Sequence, residues 1–173
     1  SDLSRGQSAI QASLEARRTV KDFDAIREVR VQTDEAVYDH MVRQRADPWA
    51  PTSRETADHA LPYIVGTAVF DGYVKVASFD PATVLQPARR EFLKRVKIES
   101  VPELSKGGKG GFPTRVEIID ADGRSHVGEA KAPPGHALQP FTDRDFDDKL
   151  HENVDPLFGA ARVMEIATAV RSL

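Results

Sequence analysis

The order of apolar and polar positions divides the chain into alternating helical and extended stretches. Ile10 and Leu14 fall four apart with alanines between them, so residues 8–18 are expected to form a helix with one apolar face. Over 25–32, Ile26, Val29 and Val31 alternate imperfectly with charged neighbours, which fits a half-buried strand better. Residues 34–42 begin with acids, which favour a helix N-terminus, and turn Val37, Met41 and Val42 inward. Two prolines and the single Trp make 44–53 a loop with Trp49 as its packing anchor.

Ser53 suits the N-cap of a helix expected over 54–70, the most apolar of the chain, with Gly72 as its stop. Residues 81–94 form an amphipathic helical stretch restarted at Pro87, with Val84, Leu85, Phe92 and Leu93 inward. Strands are expected at 96–101, 115–120 and 125–131, the last two joined by the hairpin turn Asp120-Ala-Asp-Gly123. Helices over about 143–153 and 157–172 close the chain. The sum is an α+β domain: a small, mostly antiparallel sheet with helices on one face.

Composition narrows the classes. A length of 173 residues suits one domain with a sizeable core. The absence of Cys excludes disulfides, thiolate metal sites and Cys nucleophiles, and suits a reducing cytoplasm. The longest apolar run, 63–70, is far below the ~20 residues that cross a bilayer, and the first residues lack the apolar centre of a signal peptide. The chain does not begin with Met, so Ser1 reads as a boundary within something longer. Residues 89–115 carry eight bases against three acids, and 117–155 ten acids against four bases. The two stretches read as solvated surfaces first and as an anion-binding patch second. Too few aromatics interleave with the bases for a nucleic-acid partner, and a membrane partner is not expected either.

Candidate chemistry concentrates at Thr52-Ser-Arg-Glu-Thr-Ala-Asp-His-Ala-Leu-Pro-Tyr63. On a continuous helix, Glu55, His59 and Tyr63 form one polar stripe, with Arg54 and Asp58 as a neighbouring ion pair. The stripe is either a proton-transfer site or a satisfied hydrogen-bond network. His40, His126, His136 and His151 fall at no metal-ligand spacing, so no metal site is expected. Lys106-Gly-Gly-Lys-Gly-Gly111 lacks the ending of a phosphate-binding loop and reads as a flexible insert. No nucleophile elbow of the Gly-x-Ser-x-Gly type is present, so a hydrolase triad has no support.

The run Arg54-Glu-Thr-Ala-Asp-His-Ala-Leu-Pro-Tyr-Ile-Val65, followed by Phe70-Asp-Gly72, resembles the signature of the MmgE/PrpD family. Gly6-Gln-Ser-Ala-Ile10, Arg115-Val-Glu-Ile118 with Asp122-Gly123, and Pro134-Gly-His136 with Pro140-Phe-Thr-Asp143 add to it in the family's order. The family includes 2-methylcitrate dehydratase and cis-aconitate decarboxylase, and the match is to its C-terminal half. The resemblance implies a lid domain over 1–142. Over 143–173 it implies C-terminal helices that return to an all-helical domain absent from this chain.

The activity so implied is a cofactor-independent lyase of the hydro-lyase type, cytoplasmic and homo-oligomeric, working on a small tricarboxylate in propionate metabolism. A decarboxylase or isomerase of the same family, and a non-catalytic binding module, are the alternatives. Tyr63 matches a family site Tyr and His59 is the motif histidine beside it, so these two are the expected catalytic residues. Arg54, Arg5 and Gln7 are the expected substrate-binding residues. A family position near Arg5 and Gln7 that is often His is not His here. The helical domain holds the rest of the site, so this chain alone is expected to be inactive.

Overall fold

The computed structural model describes residues 3–106 and 111–172. Ser1 and most of the glycine-rich insert, 107–110, lie outside the described residues. Along the chain come α1 (Leu3–Arg17), β1 (Ile26–Thr33), α2 (Glu35–Tyr38) running into a π-helical turn (Asp39–Arg43), α3 (Arg54–Asp58) and α4 (Leu61–Asp71). A 3₁₀ turn (Val76–Phe79), α5 (Pro81–Val84), α6 (Pro87–Leu93), β2 (Val96–Ser100) and α7 (Pro102–Ser105) follow. The remainder is β3 (Thr114–Asp120), β4 (Ser125–Ala130), α8 (Asp143–Phe158) and α9 (Ala160–Arg171). The class is α+β, and the chain divides into two compact units, 1–134 and 135–173.

In the first unit the four strands form one sheet in the order β2-β1-β3-β4. β1 pairs parallel with β2 and antiparallel with β3, and β3 pairs antiparallel with β4. The register sets Val29 opposite Ile118, Val31 opposite Val116 and Thr33 opposite Thr114, all buried, while Arg30, Gln32, Arg115 and Glu117 point to the other face. Alternation with a period of two produces this division. A parallel pair cannot be closed by a hairpin, so β1 reaches β2 through a long crossover, residues 34–95, which carries α2 to α6.

The core forms where α1 and α4 pack on one another and on the sheet. α1 contributes Ala9, Ala12 and Ala16, small enough for close approach, and residues Leu61 to Val69 of α4 are all buried. At roughly 1.5–3 kcal/mol for each large apolar side chain removed from water, α4 is a principal source of the unit's stability. Gly72 ends α4 in the left-handed conformation at φ 79°.

Several elements differ from the sequence expectation. α1 starts at Leu3, five residues before the expected start at Ser8. The helix expected over 54–70 is two helices, because Pro62 has no N–H to give the Asp58 carbonyl and its ring would strike that carbonyl. The chain stops at Asp58, turns at His59 and Ala60, and restarts with Pro62 in the first turn, where no N–H is needed. α8 runs through Pro156 to Phe158, and the break comes at Gly159, which takes φ 79°.

The second unit contains α8 and α9, which pack against each other. Thr142 caps α8 reciprocally with Asp145, and Arg171 pairs with Asp147 between the helices. Of the described residues in α8 and α9 only Val163 is buried. Phe146, Leu157, Phe158, Met164 and Val170 are all more than half exposed. Among the described residues no helix is long and apolar enough to cross a membrane.

Candidate functional site

The loop after the π-helical turn and the short α3 enclose a cleft of about 450 Å³, lined by Arg45, Asp47, Pro48, Thr52, Glu55 and His59 among others. The loop is held from behind. Trp49 Nε1 donates to the Val96 carbonyl at 2.8 Å, fastening it to the start of β2, and Arg90 Nη2 donates to the Pro51 carbonyl at 3.3 Å. The α3 wall begins with a capping box: Thr56 N–H donates to Ser53 Oγ at 3.2 Å and Ser53 N–H to Thr56 Oγ1 at 2.9 Å. Thr52 N–H also donates to Thr56 Oγ1, at 3.0 Å.

His59 is the residue that caps the C-terminus of α3, where the helix stops. Its Nδ1 lies 2.8 Å from the Glu55 carbonyl oxygen and pairs with the Asp58 carboxylate. Both partners only accept, which places a proton on Nδ1 and leaves Nε2 the basic nitrogen of the neutral ring. Arg45 donates from Nε to the His40 carbonyl at 2.9 Å, and its Nη2 lies 3.1 Å from His40 Nε2. A fixed guanidinium and an oriented imidazole therefore share one opening. That pairing can hold a carboxylate and move a proton beside it.

Tyr63 takes a different position from the one the stripe implied. The break at His59 and Ala60 turns α4 away from the line of α3, and Tyr63 is wholly buried. Its hydroxyl donates to the Ser78 carbonyl at 2.5 Å, and its ring packs on Phe79 with centroids 5.9 Å apart. Burial pushes the phenol above its ordinary pKa, opposed by the Arg89 guanidinium and the Thr67 hydroxyl and reinforced to a smaller extent by the Asp71 carboxylate. Arg54 is exposed at the start of α3, and Arg5 and Gln7 are half-buried on α1; none of the three lines the cleft. Arg5 lies over the Phe112 ring at 5.7 Å.

Glu55 and His59 are thus brought to the cleft, and Tyr63 is placed in the core behind the helix break. Arg45 and Asp47 are charged cleft residues that sequence reasoning missed. Arg45 stands in a loop with no helical partner spacing, and its hold on His40 is a contact that no spacing announces. Among the described residues no group of three or more His, Cys, Asp or Glu is gathered as a metal site would need.

The MmgE/PrpD C-terminal domain matches residues 4–173, and the chain belongs to that family. It is 28% identical over 126 residues to cis-aconitate decarboxylase of Mus musculus, covering 71% of this chain and 25% of the relative. To cis-aconitate decarboxylase of Homo sapiens it is 23% identical over 123 residues, with 71% and 25% covered. The chain spans about a quarter of the length of these curated relatives.

Proposed function

We propose that this chain is the lid portion of a lyase that eliminates water from a small tricarboxylate of the 2-methylcitrate kind, completed by a helical domain. The observation that carries the reading is the family match over 4–173 in a chain whose aligned part covers a quarter of its relatives. In the dehydration, a C–H bond beside a carboxylate breaks and its proton goes to a base. The neighbouring C–O bond breaks and the hydroxyl leaves as water with a proton from an acid. His59, with Nε2 as its basic nitrogen, is the group placed to accept or relay a proton at the cleft. Tyr63, kept neutral by burial, is the donor in this reading; wholly buried behind the helix break, it reaches the leaving oxygen only by giving up the Ser78 carbonyl for it when the site is assembled. Arg45 pairs with a carboxylate at the cleft, and Arg54, Arg5 and Gln7, which lie outside it, meet carboxylates only where the helical domain completes the site.

The exposed apolar residues of α8 and α9 support docking on the helical domain, since a surface of this kind is rarely left to water. In this reading the assembled enzyme is a cytoplasmic homo-oligomer that uses no cofactor. A second reading, decarboxylation of cis-aconitate, draws on the two relatives of that name. There a C–C bond breaks, carbon dioxide leaves, and the carbon takes a proton. Incubating the intact protein that carries this chain separately with 2-methylcitrate and cis-aconitate decides between them. Loss of water from 2-methylcitrate without carbon dioxide release supports the first, carbon dioxide from cis-aconitate the second, and consumption of neither overturns both.

A further inference from the structure

Behind Tyr63 lies a buried charged group that the cleft chemistry does not use. Arg89, on α6, is 3% exposed. Its Nη2 donates to both carboxylate oxygens of Asp71 at 3.0 and 2.9 Å, and its Nη1 donates to Thr67 Oγ1 at 3.1 Å. Thr67 and Asp71 both belong to α4, one and two turns beyond Tyr63. The guanidinium carbon sits 5.9 Å from the Tyr63 ring centroid and 5.3 Å from that of Phe70. The Nε atom is buried with no hydrogen-bond partner. A buried ion pair with an orphaned donor is a poor stabiliser, because apolar residues of the same volume are often as good or better. Its presence against one particular tyrosine therefore calls for a use other than holding α6 to α4.

We propose that Arg89, fixed by Asp71 and Thr67, is a positioning residue for Tyr63, holding the ring in place and keeping a positive charge beside the phenol as its proton departs. The inference rests on the reading of Tyr63 as the proton donor. A phenol that gives up a proton in a dry interior leaves an anion, and a preorganised cation nearby stabilises that anion without any rearrangement at the moment of transfer. The sign follows from the two charges: Arg89 favours the phenolate, its partner Asp71 opposes it more weakly, and without Arg89 donation becomes harder.

The test uses the intact protein and four forms: wild type, Arg89→Met, Tyr63→Phe and the double variant, with Arg89→Lys as the conservative control. Arg89→Met is expected to lower kcat about tenfold, the scale of one desolvated cation–π contact, with KM little changed, and Arg89→Lys to restore part of it. In the Tyr63→Phe background the Arg89→Met loss is expected to disappear, since a residue acting through the phenol has nothing left to act on. Phenolate absorbance, taken as the difference between each protein and its Tyr63→Phe counterpart, is expected to rise at higher pH when Arg89 is Met. This readout needs no activity. If Arg89→Met fails to fold, Arg89→Met with Asp71→Leu removes the stranded carboxylate and serves in its place. An equal loss in both backgrounds, or an unmoved phenol titration, overturns the inference and leaves the reading of Tyr63 standing. Full activity in Tyr63→Phe overturns that reading instead.

Discussion

Gly128 of β4 lies so close to α1 that a Cβ added to it would stand 2.1 Å from the Ala12 carbonyl oxygen and 2.6 Å from the Ala16 amide nitrogen. Both neighbours are backbone atoms of a helix and cannot turn aside as a side chain would. Gly128→Ala is therefore expected to force α1 off the sheet and to cost about 2–3 kcal/mol, read as a lower urea midpoint with unchanged slope. An unchanged midpoint would mean that the helix rides higher on the sheet than the packing shows.

Tyr63→Phe should have two separable effects. Removing the hydroxyl leaves the Ser78 carbonyl without that donor, a loss of about 1 kcal/mol visible in chemical denaturation. Activity of the intact protein should fall far more than so small a loss of stability could explain. A fall in stability with full turnover would assign the hydroxyl to the fold alone.

Asp120 closes the β3–β4 hairpin. Burial pushes its carboxyl upward, but the Arg124 backbone N–H, His126, the Arg124 charge and the Asp122 backbone N–H outweigh this and hold it below the ordinary carboxylate range. A carboxylate lowered on folding stabilises the native state above its unfolded pKa, near ~3.9, and loses that contribution as pH falls through the folded value. Stability curves of wild type and Asp120→Asn are expected to converge at acid pH and to separate above about pH 5, wild type being the more stable. Parallel curves over that range would count against the assignment.

The apolar residues on α8 and α9 should be detectable in solution. The 173-residue chain is expected to bind a hydrophobic dye, and Leu157→Glu with Phe158→Glu should reduce that binding with little change in stability, since both side chains are more than 60% exposed. A chain that binds no dye and stays monomeric in light scattering would remove the support for a covering domain.

The local chemistry of the chain was readable where one residue decides the outcome. Ser53 caps α3, Gly72 stops α4, Pro87 opens α6 and Gly123 turns the hairpin at φ 79°, each by its own conformational preference. The stripe of Glu55, His59 and Tyr63 does not form, because the single proline between the last two overrides their helical spacing. α7 was not foreseen, a four-residue helix being too short for periodicity to show. Trp49 was legible as the anchor of its loop, but the cleft itself was not, because Arg45 is held at His40 by contacts that no local pattern announces.

The long crossover between β1 and β2 has a further consequence. Every named cleft residue, from Arg45 to His59, falls within one uninterrupted stretch of that connection. The strands supply a frame, and the groups that would meet a ligand hang on a single exchangeable piece of chain. A descendant could therefore acquire a differently shaped opening by altering fifteen successive codons, without disturbing one strand pairing.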